Sequence, residues 1–227
     1  MSEEEELEKV LEQASGLVFD CDGTLLDTMP LYYESWKLCC EEVGLDNFPV
    51  ERFYDNAGRP VDVIFQMLID EKKADGYPLS DQITASFCEN LKKKHHANLE
   101  KEGKVAGPID VVVNIAKRYH GKKPMAVASS GWRDHVVGGL KRNGILDLFD
   151  AIVTADQPEV QNPKPAPDIF LVAARKIGSE PSKCIGFEDA DLGMQAIKSA
   201  GFLYASDVRL LHMYPRNVEK RLSLQQE

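Results

Sequence analysis

Leu17-Val18-Phe19-Asp20-Cys21-Asp22-Gly23-Thr24-Leu25-Leu26-Asp27-Thr28 runs from an apolar strand-like segment into two carboxylates and a glycine. In an extended chain residues i and i+2 share one side, so Asp20 and Asp22 converge on one point while Cys21 turns away. Gly23 lets the backbone turn sharply after the strand, and Thr24 adds a hydroxyl and backbone groups beside the acids. A strand closed by an Asp-Gly turn is also a common surface feature, so the pair takes its meaning from what other segments bring to it.

Downstream, short buried strands are expected at 125–129, 151–154, 184–187 and 202–204, alternating with helices near 133–142, 168–177 and 190–199. Such alternation predicts an α/β fold, a Rossmann-like parallel sheet with helices on both faces. The first strand, 16–20, lacks its own crossover helix. The segment after it reads as helices at 31–43, closed by Gly44, then 61–73, then 80–99 with Ser80-Asp81 as a cap, and no strand. Gly103 to Pro108 breaks the pattern, and Pro108 suits the first turn of a helix running to Tyr119. The expected organisation is a core of residues 14–28 and 104–227 interrupted by an all-helical cap at 29–103. Residues 1–13 form an acidic N-terminal arm, with Leu7, Val10, Leu11 and Ala14 at helical spacing. Either a helix laid on the core or a frayed, solvated arm satisfies that pattern.

The 227 residues, 43% hydrophobic and 28% charged, are enough to bury a core. A net charge of −10 argues against nucleic acid or an anionic membrane as a partner, because both require a dense cationic surface. Five cysteines with no CxxC pattern favour neither a disulfide framework nor a zinc site and suit a reducing, cytoplasmic location. No targeting segment is expected, since the N-terminus is acidic where a signal or transit peptide would be basic.

Ligands of open parallel sheets bind beyond the carboxyl ends of the strands. There the first strand ends in Asp20 and Asp22, the second in Ser129-Ser130-Gly131, and the fourth in Glu188-Asp189, while Lys164 sits in Asn162-Pro163-Lys164-Pro165-Ala166-Pro167 after the third. Acids gathered this tightly repel one another unless a cation lies among them, and hard oxygen ligands point to Mg2+. Lys164 offsets more of the charge and can hold an anion. The chemistry this suits is phosphoryl transfer, with Asp20 as nucleophile and Asp22 as the acid that protonates the leaving oxygen. Ser129, Ser130 and the amides of their turn, just before a helix, suit phosphate oxygens.

The runs FDCDGTLLDT, AVAS, NPKPAPDIF and GFEDADLGMQAIKSAG resemble, in that order, the four motifs of the haloacid dehalogenase superfamily of phosphotransferases. The resemblance covers nearly the whole chain, including a helical cap inserted after the first motif. It implies Asp20 as nucleophile, Asp22 as general acid/base, Ser129 and Lys164 as phosphate ligands, and Glu188 and Asp189 as metal-holding acids, with the Asp22 carbonyl also on Mg2+. The second aspartate of the pair is generally missing from the superfamily's dehalogenases, which favours phosphoryl transfer here. FEDAD, KPAPD and DVRLL look most like the fructose 1-phosphate phosphatases that neighbour β-phosphoglucomutase. In the mutases a histidine typically opens the cap, where this chain reads Thr28-Met29-Pro30-Leu31-Tyr32-Tyr33. The mutases also place a lysine-containing loop after the serine, where this chain has Gly131-Trp132-Arg133. The reading is therefore Mg2+-dependent hydrolysis of a small phosphorylated metabolite through an aspartyl-phosphate, by a monomer or weak homodimer. The alternatives are a β-phosphoglucomutase-like phosphotransferase and, from another class, a non-catalytic phosphometabolite binder.

Other residues divide between function and packing. Arg59, in Gly58-Arg59-Pro60, is the expected cap contact to an anionic or hydroxyl-rich substrate, with an exposed loop cation as the equal alternative. Cys21 reads as core, and His95-His96 as a solvated helix face. Trp36 and Trp132 read as packing residues. Asp191 either caps a helix or supports Lys164.

Overall fold

A computed structural model describes residues 3–45 and 48–217. The outer ends of the expected arm and core, 1–2 and 218–227, and positions 46–47 of the expected cap lie outside them. Backbone contacts divide the chain into two compact units, Met1–Asp27 with Gly107–Glu227 and Thr28–Ala106.

The first unit begins with helix α1 (Glu3–Gln13) and strand β1 (Gly16–Phe19). Helix α1 buries Leu7 and Leu11, its Glu4 carboxylate accepts from the His212 amide at 2.8 Å, and Glu8 pairs with Arg118. The acidic stretch is therefore laid on the sheet unit by its apolar stripe. The second unit holds α2 (Met29–Val43), α3 (Val50–Asp55), α4 (Val61–Ala74) and α5 (Ala85–Lys101). Helix α2 ends at Gly44, whose φ of 74° is the left-handed conformation that glycine adopts freely. The core of this unit is aromatic: Trp36 stacks on Phe65 and Phe48 with centroids 4.1 and 5.1 Å apart, beside the buried Cys39, Cys40 and Cys88.

The sheet unit then resumes with α6 (Asp110–Tyr119), β2 (Met125–Ser129), α7 (Arg133–Arg142), β3 (Ala151–Thr154), α8 (Asp168–Lys176), β4 (Cys184–Glu188), α9 (Asp191–Ser199) and β5 (Tyr204–Asp207). Its five strands are all parallel in the order β3-β2-β1-β4-β5, with Phe19 in register with both Val127 and Phe187. Every residue of β1, β2 and β4 is buried, as parallel strands require when both faces are covered. On one face Val18, Ala126, Ala128 and Val153 pack against Ile169, Phe170 and Ala173 of α8 and Ala196 and Ile197 of α9. Phe19, pointing the other way, stacks on Phe187 at 4.4 Å and meets Phe149 edge-on at 5.7 Å.

Three local expectations shift, and one short helix, α3, is unexpected. Helix α5 starts at Ala85, not Ser80, because Thr84 is the residue whose side chain accepts an amide, that of Phe87. Pro108 lies outside α6: Leu26 bridges to it and the Ile109 amide donates to the Leu25 carbonyl, which keeps this stretch extended. The last strand falls at Tyr204–Asp207, two residues late, since pairing with Ile185–Glu188 sets its register. The six-residue α3 is too short to show a period. No helix among the described residues is long and apolar enough to cross a membrane.

Candidate active site

Chain order proceeds from β1 through β2 to β3 on one side, then returns to β4 and β5 on the other. The order reverses at β1, and at the carboxyl ends there, where open parallel sheets bind ligands, Asp20 follows β1 directly while β2 and β4 end in Ser129 and Glu188. The Asp20 amide donates to the Phe187 carbonyl at 3.0 Å, so β1 stays paired with β4 up to the first acid. Beyond it the chain folds into a tight turn in which the amides of Thr24, Leu25 and Leu26 all point at the Cys21 carbonyl and the Gly23 amide donates to Leu26. Gly23 has φ 85°, and a Cβ there would lie 2.2 Å from Asp189 Oδ2. Conformation and space both demand glycine.

Lys164 is the hub. Its Nζ donates to Asp20 Oδ1 at 2.6 Å and to Glu188 Oε1 at 2.7 Å, and the lysine is 8% exposed. The loop that carries it is shaped by Asp168, whose carboxylate accepts from the amides of Gln161 and Asn162 and from the Asn162 side chain. Those bonds, the Asn162 amide foremost, hold the Asp168 carboxyl below its usual range. The second oxygen of Glu188 accepts from the Ala190 amide, and a Cβ at Gly193 would fall 1.7 Å from its first. Both oxygens of this acid are thus engaged, one by the lysine and one by the chain entering α9. Asp189 Oδ1 accepts from the Thr24 hydroxyl at 3.2 Å, tying the turn after β1 to the end of β4. On the other flank, Ser129 donates to Asp22 Oδ2 at 3.3 Å and accepts from the Gly131 amide at 3.0 Å.

The electrostatics follow from three buried acids sharing one lysine. Burial pushes the Asp20 carboxyl up, Lys164 pulls it back, and Glu188 and Asp22 add repulsion, which leaves it at about 7. Asp189 is also raised well above the usual carboxylate range, chiefly by burial and then by Glu188 and Asp20. Burial works against the Lys164 charge, yet its two carboxylates outweigh that and hold its pKa above the ordinary lysine value. One carboxylate oxygen from each of Asp20, Glu188 and Asp189 falls within 4.8 Å of the others. An excess of buried negative charge on closely spaced hard oxygens fits a divalent cation such as Mg2+.

Among the residues singled out from the sequence, Asp20, Lys164, Glu188 and Asp189 meet in one cluster and Asp22 pairs with Ser129 beside it. Ser130 is exposed on the turn after β2. Arg59 is exposed on the turn after α3, in the helical unit. Cys21 is buried at 1% exposure, and burial raises its thiol well above the usual range. Asp191 does not reach for Lys164; it pairs at 2.7 Å with Arg209, which also holds Asp207. Trp132 is 70% exposed rather than packed; it stands at the residue before α7, and its side chain makes no capping bond there. One contact had no signal in the sequence: the Tyr214 hydroxyl donates to the Gly23 carbonyl at 2.8 Å.

The family model for haloacid dehalogenase-like hydrolases matches residues 17–206, from β1 to β5. The chain belongs to that family. It is 35% identical over 200 residues to the fructose-1-phosphate phosphatase YqaB of Escherichia coli, a match covering 88% of this chain and 99% of that protein. To the phosphorylated carbohydrates phosphatase of Thermotoga maritima it is 28% identical, over 82% of this chain and 81% of the relative. Among solved structures, β-phosphoglucomutase of Clostridium difficile superposes with a TM-score of 0.64 at 23% identity, covering 93% of this chain and 99% of that one. The last likeness shows the shared haloacid dehalogenase-like fold.

Proposed function

We propose that this haloacid dehalogenase-like hydrolase is a Mg2+-dependent phosphatase of small phosphorylated sugars, fructose 1-phosphate foremost, working through an aspartyl-phosphate on Asp20. The observation that carries the reading is the buried lysine bonded to Asp20 and Glu188, with Asp189 beside them. Such a cluster costs stability to assemble and is suited to an arriving phosphoryl group. The similarity to the Escherichia coli fructose-1-phosphate phosphatase supports the substrate class.

In this reading the Asp20 carboxylate attacks phosphorus, the bond to the sugar oxygen breaks, and Asp22 gives that oxygen its proton. Asp22, now ionised, takes a proton from water; the water oxygen attacks the phospho-aspartate, and phosphate leaves with Asp20 restored. Lys164 lowers the Asp20 pKa toward the ionised form that attack requires and neutralises phosphoryl oxygens. Ser129, Ser130 and the amides of their turn hold the other phosphate oxygens, and the Ser129 hydroxyl orients Asp22. Asp20, Asp189, Glu188 and the Asp22 carbonyl would hold Mg2+, which supplies further charge neutralisation when bound.

The test is phosphate release from a panel of hexose, pentose and nucleotide monophosphates with Mg2+, alongside Asp20→Asn. The substitution should cost roughly 10⁴-fold or more in kcat. Retained activity would overturn the mechanism, turnover only as a bisphosphate-primed isomerisation would favour a mutase, and tight binding without turnover would favour a phosphometabolite binder.

A further inference from the structure

The acid-bearing turn after β1 is tied to the rest of the sheet unit at few points. Its own amides converge on the Cys21 carbonyl, which shapes the turn but leaves its tilt against the sheet undetermined. Besides the bonds from Ser129 to Asp22 and from the Asp27 amide to Gly107, three bonds from elsewhere in the unit bear on the tilt: Thr24 to Asp189, the Ile109 amide to Leu25, and the Tyr214 hydroxyl to Gly23 at 2.8 Å. The third acts on the Gly23–Thr24 peptide unit, where a glycine with φ 85° offers the least local resistance to rotation.

Tyr214 is 5% exposed and is presented by a well-tied segment. Its amide donates to the Leu211 carbonyl at 3.0 Å, and the Asn217 side chain donates to the carbonyls of Arg209 and Leu211 at 2.7 and 3.0 Å. Leu211 is itself buried, and the neighbouring His212 amide is held by Glu4 of α1. This segment lies beyond residues 17–206, the stretch that the family model matches.

We propose that Tyr214 is a positioning residue for the reaction: its hydroxyl fixes the tilt of the Asp22–Thr24 turn, and with it the aim of Asp22 and the bond from Thr24 to Asp189. The kinetic form of this inference rests on the phosphatase reading. Without the hydroxyl a buried carbonyl loses its donor and the glycine peptide turns to find another. Asp22 then drifts from Ser129, and Asp189 loses the hold of the Thr24 hydroxyl.

The experiment compares wild type, Tyr214→Phe and the control Tyr119→Phe, whose hydroxyl meets Glu12 of α1 instead. Each is assayed for kcat, KM and the half-saturating Mg2+ concentration, and for hydrogen exchange at the amides of Thr24, Leu25 and Leu26. Tyr214→Phe should lower kcat about tenfold with KM within twofold, raise half-saturating Mg2+ at least threefold, and speed exchange at those amides about tenfold. The control should match wild type in all four. Tyr214→Phe with kcat and Mg2+ response within twofold of wild type would overturn the proposal, as would unchanged exchange. Should wild type hydrolyse no phosphomonoester, the phosphatase reading falls separately, and exchange alone decides whether Tyr214 anchors the turn.

Discussion

The two units bury different things. In the helical unit the interior is aromatic and aliphatic, and ion pairs such as Arg52 with Glu71 and Lys93 with Glu89 reach the surface. In the sheet unit Asp20, Lys164, Glu188 and Asp189 are all buried among charged neighbours. Surface pairs are worth little and cost little, whereas buried charges are costly unless partnered. The contrast supports the rim of the sheet unit as the place of the proposed chemistry: a fold that needed only to be stable would fill the rim with residues like Phe65 and Trp36.

Matched substitutions would break or sharpen that contrast. Removing the lysine, Lys164→Met, leaves three buried acids without their cation, and should cost about 10³-fold in kcat and about 3 kcal/mol of stability. Phe65→Ala in the helical unit should cost a similar 3–5 kcal/mol, roughly, with turnover per folded molecule changed less than about tenfold. Equal rate losses in the two variants, read from kinetics beside denaturant melts, would erase the distinction.

The acids should also make the two units respond differently to pH. Asp20 titrates at about 7 in the fold against 3.8 ordinarily, so the folded chain holds its proton more tightly. A raised carboxyl of this kind favours the fold fully below about pH 4, and that contribution is lost as pH rises through about 7, on the order of a few kcal/mol. Metal-free wild type should therefore lose stability over that window, and Asp20→Asn should lose less. Saturating Mg2+ should restore stability at about pH 7 to 8, raising Tm by several degrees. Identical metal-free pH profiles for wild type and Asp20→Asn would contradict this charge distribution. The smallest effect is expected at Arg59, where Arg59→Ala should raise KM for a sugar phosphate about threefold with kcat little changed.

How far the sequence can be read depends on what kind of interaction decides each feature. β2, β3 and α7 lie where the apolar runs and helical period put them, because burial on both faces of a parallel sheet writes itself as continuous apolar residues. The start of α5 and the register of β5 fall elsewhere than local pattern places them, since a cap depends on which hydroxyl meets an amide and a register depends on the neighbouring strand. In the site, Asp20 and Asp22 are legible as a pair because both follow one apolar run within three residues, although β1 ends at Phe19 and a tight turn, not strand alternation, places Asp22. Lys164 is legible only as a lysine in a proline-bounded loop after a strand.

The sequence by itself determined the parallel α/β fold, its helical insertion and the residue types collected at one rim, because periodicity and motif spacing are properties of the chain. Tertiary structure alone decided that one lysine bridges Asp20 and Glu188, that Asp191 turns to Arg209, and that Tyr214 reaches Gly23 across 191 positions. Those pairings depend on distances between segments remote in sequence, and no local pattern of residues encodes a distance.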